Sequence, residues 1–257
     1  MINLADILKI DCDFIKGSLK PSNNKNFTPT EYHGKNGLCG LILSDAKKEV
    51  FSEDFLKNLY DIIKERKNIT YIAVGPLTNF AKLLERFPDC ADYIGELIIM
   101  GGGFDVSNMA HNAEFNFSAD PAAVKKVLAC PVKKTLAPLD ITHQLSFSLT
   151  DIEDITGIKQ ELLSGNMSEA FAVMAKLLYL NYETSVKNEN DGALIHDATT
   201  LLYLLDKNKC DVNQYNITSD EYGAVSKNSS GYSVNVIDKI DRDFVKNLFK
   251  RSFYEYK

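Results

Sequence analysis

Between Met100 and Pro121 the chain reads MGGGFDVSNMAHNAEFNFSADP, with a triple glycine, three asparagines, a histidine and a glutamate in one stretch. Asn108, Glu114 and Asn116 carry the chemistry of interest, since carboxylate and amide groups set close together can bind neighbouring hydroxyls. Three further polar groups stand at the ends of apolar runs: His33 to Leu38 (HGKNGL), Thr78-Asn79, and His196-Asp197. An aspartate and a backbone carbonyl are oxygen ligands for a hard cation. Together these groups describe a sugar held against such an ion. Singly, each has a structural reading: Thr78 as a helix N-cap, His196 as a helix-cap histidine, and Asp197 as an acid favoured by a helix dipole.

The elements around these residues follow from periodicity. Glu96 to Met100 is a short apolar strand that stops at Gly101, and Asp120-Pro121 is an N-cap acceptor with proline at the first helical position. Ile69 to Val74 reads as a buried strand closed by Gly75-Pro76, and helices are expected over Ser52 to Arg66 and Phe80 to Phe87. Asp13 to Gly17 and Thr135 to Asp140 are further strand candidates, the latter ending in the polar Asp140-Ile141-Thr142-His143. Thr150 and Glu153 form a capping-box pattern, and Ser168 to Tyr182 is a long apolar helix followed by a charged loop, Glu183 to Gly192. His196-Asp197 opens a helix over Ala198 to Leu205, and the tail holds a hairpin over Tyr222 to Val236 and an amphipathic helix over Asp241 to Phe253. This alternation predicts a single α/β domain over residues 1–257: a mostly parallel, Rossmann-like open sheet with helices on both faces. Ligands of such sheets lie beyond the carboxyl ends of the strands, where the polar groups fall.

Composition narrows the partners. With 257 residues, 45% of them hydrophobic, the chain can build a sizeable core. A net charge of −6 argues against a nucleic-acid partner and suits small ligands or cations. Five cysteines without CxxC spacing read as reduced thiols in a cytoplasmic protein. No apolar run reaches transmembrane length, and MINLADILKIDCDF carries acids too early for a signal peptide, so no membrane partner is expected. A dinucleotide fold is disfavoured, because Gly101 to Gly103 lack GxGxxG spacing and no helix begins at once behind them.

GPLTN (Gly75 to Asn79), MGGG (Met100 to Gly103), the run from Asn108 through AEFN to Asp120-Pro121, and HD at a helix head occur in this order with HGKNGL. In this, nearly the whole chain resembles the inosine–uridine-preferring nucleoside hydrolase family. The resemblance implies hydrolysis of the N-glycosidic bond of purine or pyrimidine ribonucleosides to base and ribose, with a role in salvage. It implies calcium as cofactor, bound by the Thr78 carbonyl and the Asp197 carboxylate. It places Asn108 at the sugar 5′-hydroxyl, Glu114 and Asn116 at the ribose hydroxyls, His196 at the leaving base, His33 near the base, and Tyr179 or Tyr182 over it. A homodimer or homotetramer is implied in the same way.

One family feature is missing. The N-terminal strand ending in DTDxGxDD, which supplies most calcium ligands and the general base, has only a faint echo in Asp11-Cys12-Asp13, followed by Phe14-Ile15-Lys16. On this resemblance Met1 falls inside the family's first helix, with the first strand and its catalytic aspartate loop absent. The expectation is a hydrolase homologue with weak or no turnover. The alternative is a non-catalytic ribose- or nucleoside-binding protein.

Overall fold

The computed structural model of the chain describes residues 2–22, 37–38, 40–43, 50, 53–162 and 168–257. In chain order the main elements are α1 (Ile2–Ile7), α2 (Phe55–Arg66), β1 (Ile69–Ala73), α3 (Thr78–Arg86), β2 (Ile94–Met100), α4 (Phe115–Ala119) and α5 (Pro121–Ala129). They continue with β3 (Lys134–Ala137), α6 (Leu139–Thr142), β4 (Ser146–Phe147), α7 (Leu149–Thr156), α8 (Glu169–Lys187), β5 (Ala193–Leu194) and α9 (Ala198–Leu205). The last are β6 (Cys210–Ser219), β7 (Val225–Lys227), β8 (Tyr232–Ile240) and α10 (Arg242–Glu255).

The main sheet has the order β1-β2-β3-β8-β6-β7, parallel from β1 to β8 and antiparallel from β8 to β7. Side-chain alternation along β2 explains the layers. Leu97 and Ile99 join a core with Phe80, Leu83, Phe117, Val124 and Leu128, while Ile98 points into a second core with Phe147, Ile155, Phe171, Leu202 and Phe253. Helices therefore cover both faces, and the mostly parallel α/β architecture expected from the alternation is what the chain adopts.

Several local expectations need correction. The stretch read as loop up to Pro121 contains α4, because Glu114 caps it. The capping box lies earlier than expected, at Ser148 with Asp151 rather than Thr150 with Glu153. Helix α8 runs on through Lys187, since the charged residues after Tyr182 continue the helix up to its C-cap at Asn188. Asp13 to Gly17 forms no strand, only a single bridge at Ile15. The tail hairpin is replaced by a different pairing: β7 and β8 both bond to β6, which lies between them.

Asp151 also ties α7 to α10. It accepts hydrogen bonds from Arg242 (2.7 Å), Lys246 (2.9 Å) and the Ser148 hydroxyl (2.8 Å). Burial alone would raise this carboxyl, but those donors overcome it and hold the group well below the ordinary carboxylate range. A depressed folded-state value gives stability that is present above the ordinary carboxylate pKa and lost as pH falls below it. Asp151→Asn is therefore expected to cost about 1–3 kcal/mol at pH 7, with a smaller difference below about pH 3. Urea unfolding of both proteins across pH 2–7 checks this.

Candidate functional site

The carboxyl ends of β1, β2 and β3 open into a cavity of about 1200 Å³, walled on the far side by α8, α9 and α10. Six of the residues singled out from the sequence line it: Thr78, Asn108, Glu114, Asn116, His196 and Asp197. His33 lies outside the described residues. Tyr179 is not in the wall; it is buried, and its hydroxyl donates to the Ile158 carbonyl at 2.7 Å. Tyr182 packs against the same core rather than lining the cavity.

Glu114 is the best-held group. It is 1% exposed and caps α4, accepting from the N–H groups of Gly102 (3.0 Å), Asn116 (2.8 Å) and Phe117 (3.1 Å). Burial pushes its carboxyl up to about 7, against the pull of those three donors, and the negative charge of Asp197 raises it further. Asn116 is anchored by its amide, which donates to the Met100 carbonyl at 3.2 Å. Asn108 is more exposed and accepts from the Phe115 N–H at 2.9 Å, which folds its loop back over α4.

The glycine run is explained by what packs on it. A β-carbon at Gly101 would overlap the Phe117 ring, and one at Gly103 would overlap the Val106 carbonyl oxygen. Just beyond, Asp140 accepts from the Phe104 (2.8 Å) and Asp105 (2.7 Å) N–H groups and pins the loop to α6. Gly103→Ala meets rigid backbone, so the loop carrying Asn108 must move. A loss of about 1–3 kcal/mol is expected, and thermal unfolding measures it.

Thr78 and Asp120 turn out to be fasteners. The Thr78 hydroxyl donates to Asp120 Oδ2 at 2.6 Å, and the same oxygen accepts from the Ser22 N–H and hydroxyl. Asn79 accepts from the Ser18 N–H at 2.9 Å, so the segment over residues 18–22 is strapped across the head of α3. Thr78 is also the first residue of α3, so its carbonyl points along the helix. Val74, directly after β1, lines the cavity as well and brings a strand-end backbone to it.

His196 and Asp197 stand at the head of α9 on the opposite wall. His196 Nδ1 lies 2.8 Å from the Thr142 hydroxyl, and its ring is 5.5 Å from that of His143. Asp197 makes no side-chain cap bond to its own helix. His143 lines the cavity too, its pKa lowered by burial despite Asp140 nearby. Sequence reasoning missed Thr142 and His143; the only signal was the polar end of the run through Asp140-Ile141-Thr142-His143.

A calcium ion takes about six to eight oxygen ligands. Among the described residues no group of three or more His, Cys, Asp or Glu could hold a metal. The described donors, the Asp197 carboxylate with backbone carbonyls near β1, do not complete such a sphere. Nor is any helix among the described residues long and apolar enough to cross a membrane.

Solved structures share this fold. A plant nucleoside hydrolase superposes with TM-score 0.83 at 22% identity, over 98% of this chain and 84% of its own. A purine-preferring ribonucleoside hydrolase from Gardnerella vaginalis gives TM-score 0.85 at 20% identity, over 98% and 84%. In sequence, an uncharacterized protein of Schizosaccharomyces pombe is 32% identical over 207 residues, 79% of this chain and 61% of that protein. The pyrimidine-specific ribonucleoside hydrolase RihB of Shigella flexneri is 28% identical over 244 residues, 93% of this chain and 73% of that protein. Of the two Schizosaccharomyces pombe relatives it matches, the chain spans 61% and 64% of the length. The family described as inosine-uridine preferring nucleoside hydrolase matches residues 1–247, which take in the strand-end motifs and both walls of the cavity. With that match over nearly its whole length, this chain belongs to the inosine-uridine preferring nucleoside hydrolase family.

Proposed function

We propose that the cavity is the ribonucleoside site of an N-glycosyl hydrolase, built on one domain. The observation that carries this reading is the convergence of Asn108, Glu114, Asn116 and His196 on one pocket at the strand ends. Glu114 spends its oxygens on three N–H groups but keeps lone pairs for the vicinal hydroxyls of ribose, and Asn116 beside it adds donor and acceptor. Asn108, on the more exposed loop, suits the 5′-hydroxyl. His196 faces these groups across the cavity, on the side where the base would leave.

Cleavage breaks the C1′–N bond, adds water to C1′ and returns a proton to the departing base. The ribose ring becomes electron-poor as the bond stretches, and the Glu114 carboxylate stabilises that charge. Calcium, the family's expected cofactor, would acidify the attacking water; Asp197 is the described side chain suited to it. The same reading includes cytoplasmic salvage of nucleosides and a homodimer or homotetramer, supported by the acidic composition, the free thiols of the described cysteines and the family match.

A second reading, nucleoside binding without cleavage, is favoured by the incomplete cation sphere among the described residues. Calorimetry with inosine and ribose, beside a p-nitrophenyl riboside assay with calcium or chelator, separates the two. Calcium-dependent hydrolysis supports the hydrolase, and binding without turnover supports the second reading. Failure to bind either ligand overturns both.

A further inference from the structure

The Thr142 side chain is 54 residues from His196 in sequence and fully buried at the end of α6, yet its hydroxyl meets the imidazole at 2.8 Å. A hydroxyl has one proton to give. Its other neighbouring acceptor, the Leu139 carbonyl, lies at 3.5 Å, the outer limit for such a bond. Were the ring to donate from Nδ1 instead, the buried hydroxyl proton would be left with that outer-limit contact alone, so the better-satisfied arrangement is the one in which Thr142 donates to His196 Nδ1. In a neutral imidazole an Nδ1 that accepts leaves the ring hydrogen on Nε2.

We propose that Thr142 is a positioning residue that fixes His196 as the Nε2–H tautomer, a hydrogen-bond donor toward the base of a bound nucleoside. The proposal rests on the ribonucleoside reading for its ligand, whereas the tautomer is a property of the protein alone. It also sets a specificity. A ring fixed as donor selects bases that present an acceptor nitrogen or oxygen on that side, and contributes nothing to holding ribose. His143 is the neighbouring ring, tilted, with its centroid 5.5 Å from that of His196.

The test uses the full chain labelled with 15N-histidine, read by long-range proton–nitrogen correlation at pH 8. The chain has four histidines, and the signal lost in His196→Asn identifies the one of interest. The expected result is an Nε2–H ring in the wild type and in Thr142→Ser, and a shift toward Nδ1–H in the near-isosteric Thr142→Val. On the same samples, Thr142→Val should weaken inosine binding about fivefold to tenfold while leaving ribose affinity unchanged, the effect of one hydrogen bond. An Nδ1–H ring in the wild type, or an unchanged tautomer in Thr142→Val, overturns the proposal. Equal losses for inosine and ribose overturn it too, since a merely loosened fold would do that. If the tautomer behaves as expected and the wild type binds neither ligand, the ribonucleoside reading fails and the positioning role stands.

Discussion

Replacing Glu114 with alanine is expected to weaken ribose binding by about tenfold or more and to destabilise the protein by about 2–4 kcal/mol. Both effects come from one side chain. Its carboxylate satisfies the N–H groups of Gly102, Asn116 and Phe117, and alanine would leave these buried donors to whatever water can enter. Hydrogen bonds to a charged group contribute about 1.5–3 kcal/mol each, so affinity for ribose should fall by roughly 10- to 150-fold or more. Glu114→Gln keeps the shape but turns an amide NH2 toward at least one of these N–H groups, so it should recover only part of the stability and little of the affinity. The pH dependence has two opposite signs. A carboxyl raised to about 7 favours the protonated folded state, so its contribution to stability is full below the ordinary glutamate value and is lost as pH rises through about 7. Ribose binding uses the ionised form and should strengthen over that same range. Calorimetric titration and urea unfolding at pH 5, 6, 7 and 8 would show the two trends crossing.

Phe117→Ala is expected to be the most destabilising of the core substitutions near the site, at about 3–5 kcal/mol. Phe117 has no exposed surface and belongs to the core shared by Leu97, Ile99, Val124 and Leu136. Its ring also lies directly on the glycine run, where only the absence of β-carbons lets it approach. Truncation would leave a cavity beneath the cap of α4, so the loss should appear as a Tm lowered by roughly 6–20 °C. Scanning calorimetry with Phe117→Leu as the milder control checks the assignment: if alanine costs no more than leucine, the ring is not what holds the loop.

Much of this architecture is legible in the chain itself. AEFN followed by Asp120-Pro121 marks the segment that lines the cavity, and the apolar run at Glu96 to Met100 marks an interior strand, because burial on both faces demands such a run. What escaped has physical reasons. β6 has mostly polar, half-exposed residues and is recognised only through its long pairing with β8. α4 is too short for periodicity and exists because Glu114 caps it, which requires knowing that the carboxylate turns inward. The Thr142–His196 contact joins two helix ends that no local pattern connects. The Thr78 hydroxyl has a fastening role that no local pattern shows, since it depends on Asp120 arriving from 42 residues away.

The double duty of Glu114 bears on how function is lost over evolutionary time. On the proposed ribonucleoside reading this carboxylate would hold the ligand as well as close a helix, so it stays under selection for folding after selection for chemistry has ended. Asn108 lies on an exposed loop, and His196 on the cavity wall caps no run of backbone N–H groups as Glu114 does, meeting Thr142 through its ring. Among descendants that have given up turnover, those two positions should drift first while Glu114 persists. The presence of this glutamate is therefore a marker of the fold, and retained activity is better judged from Asn108 and His196.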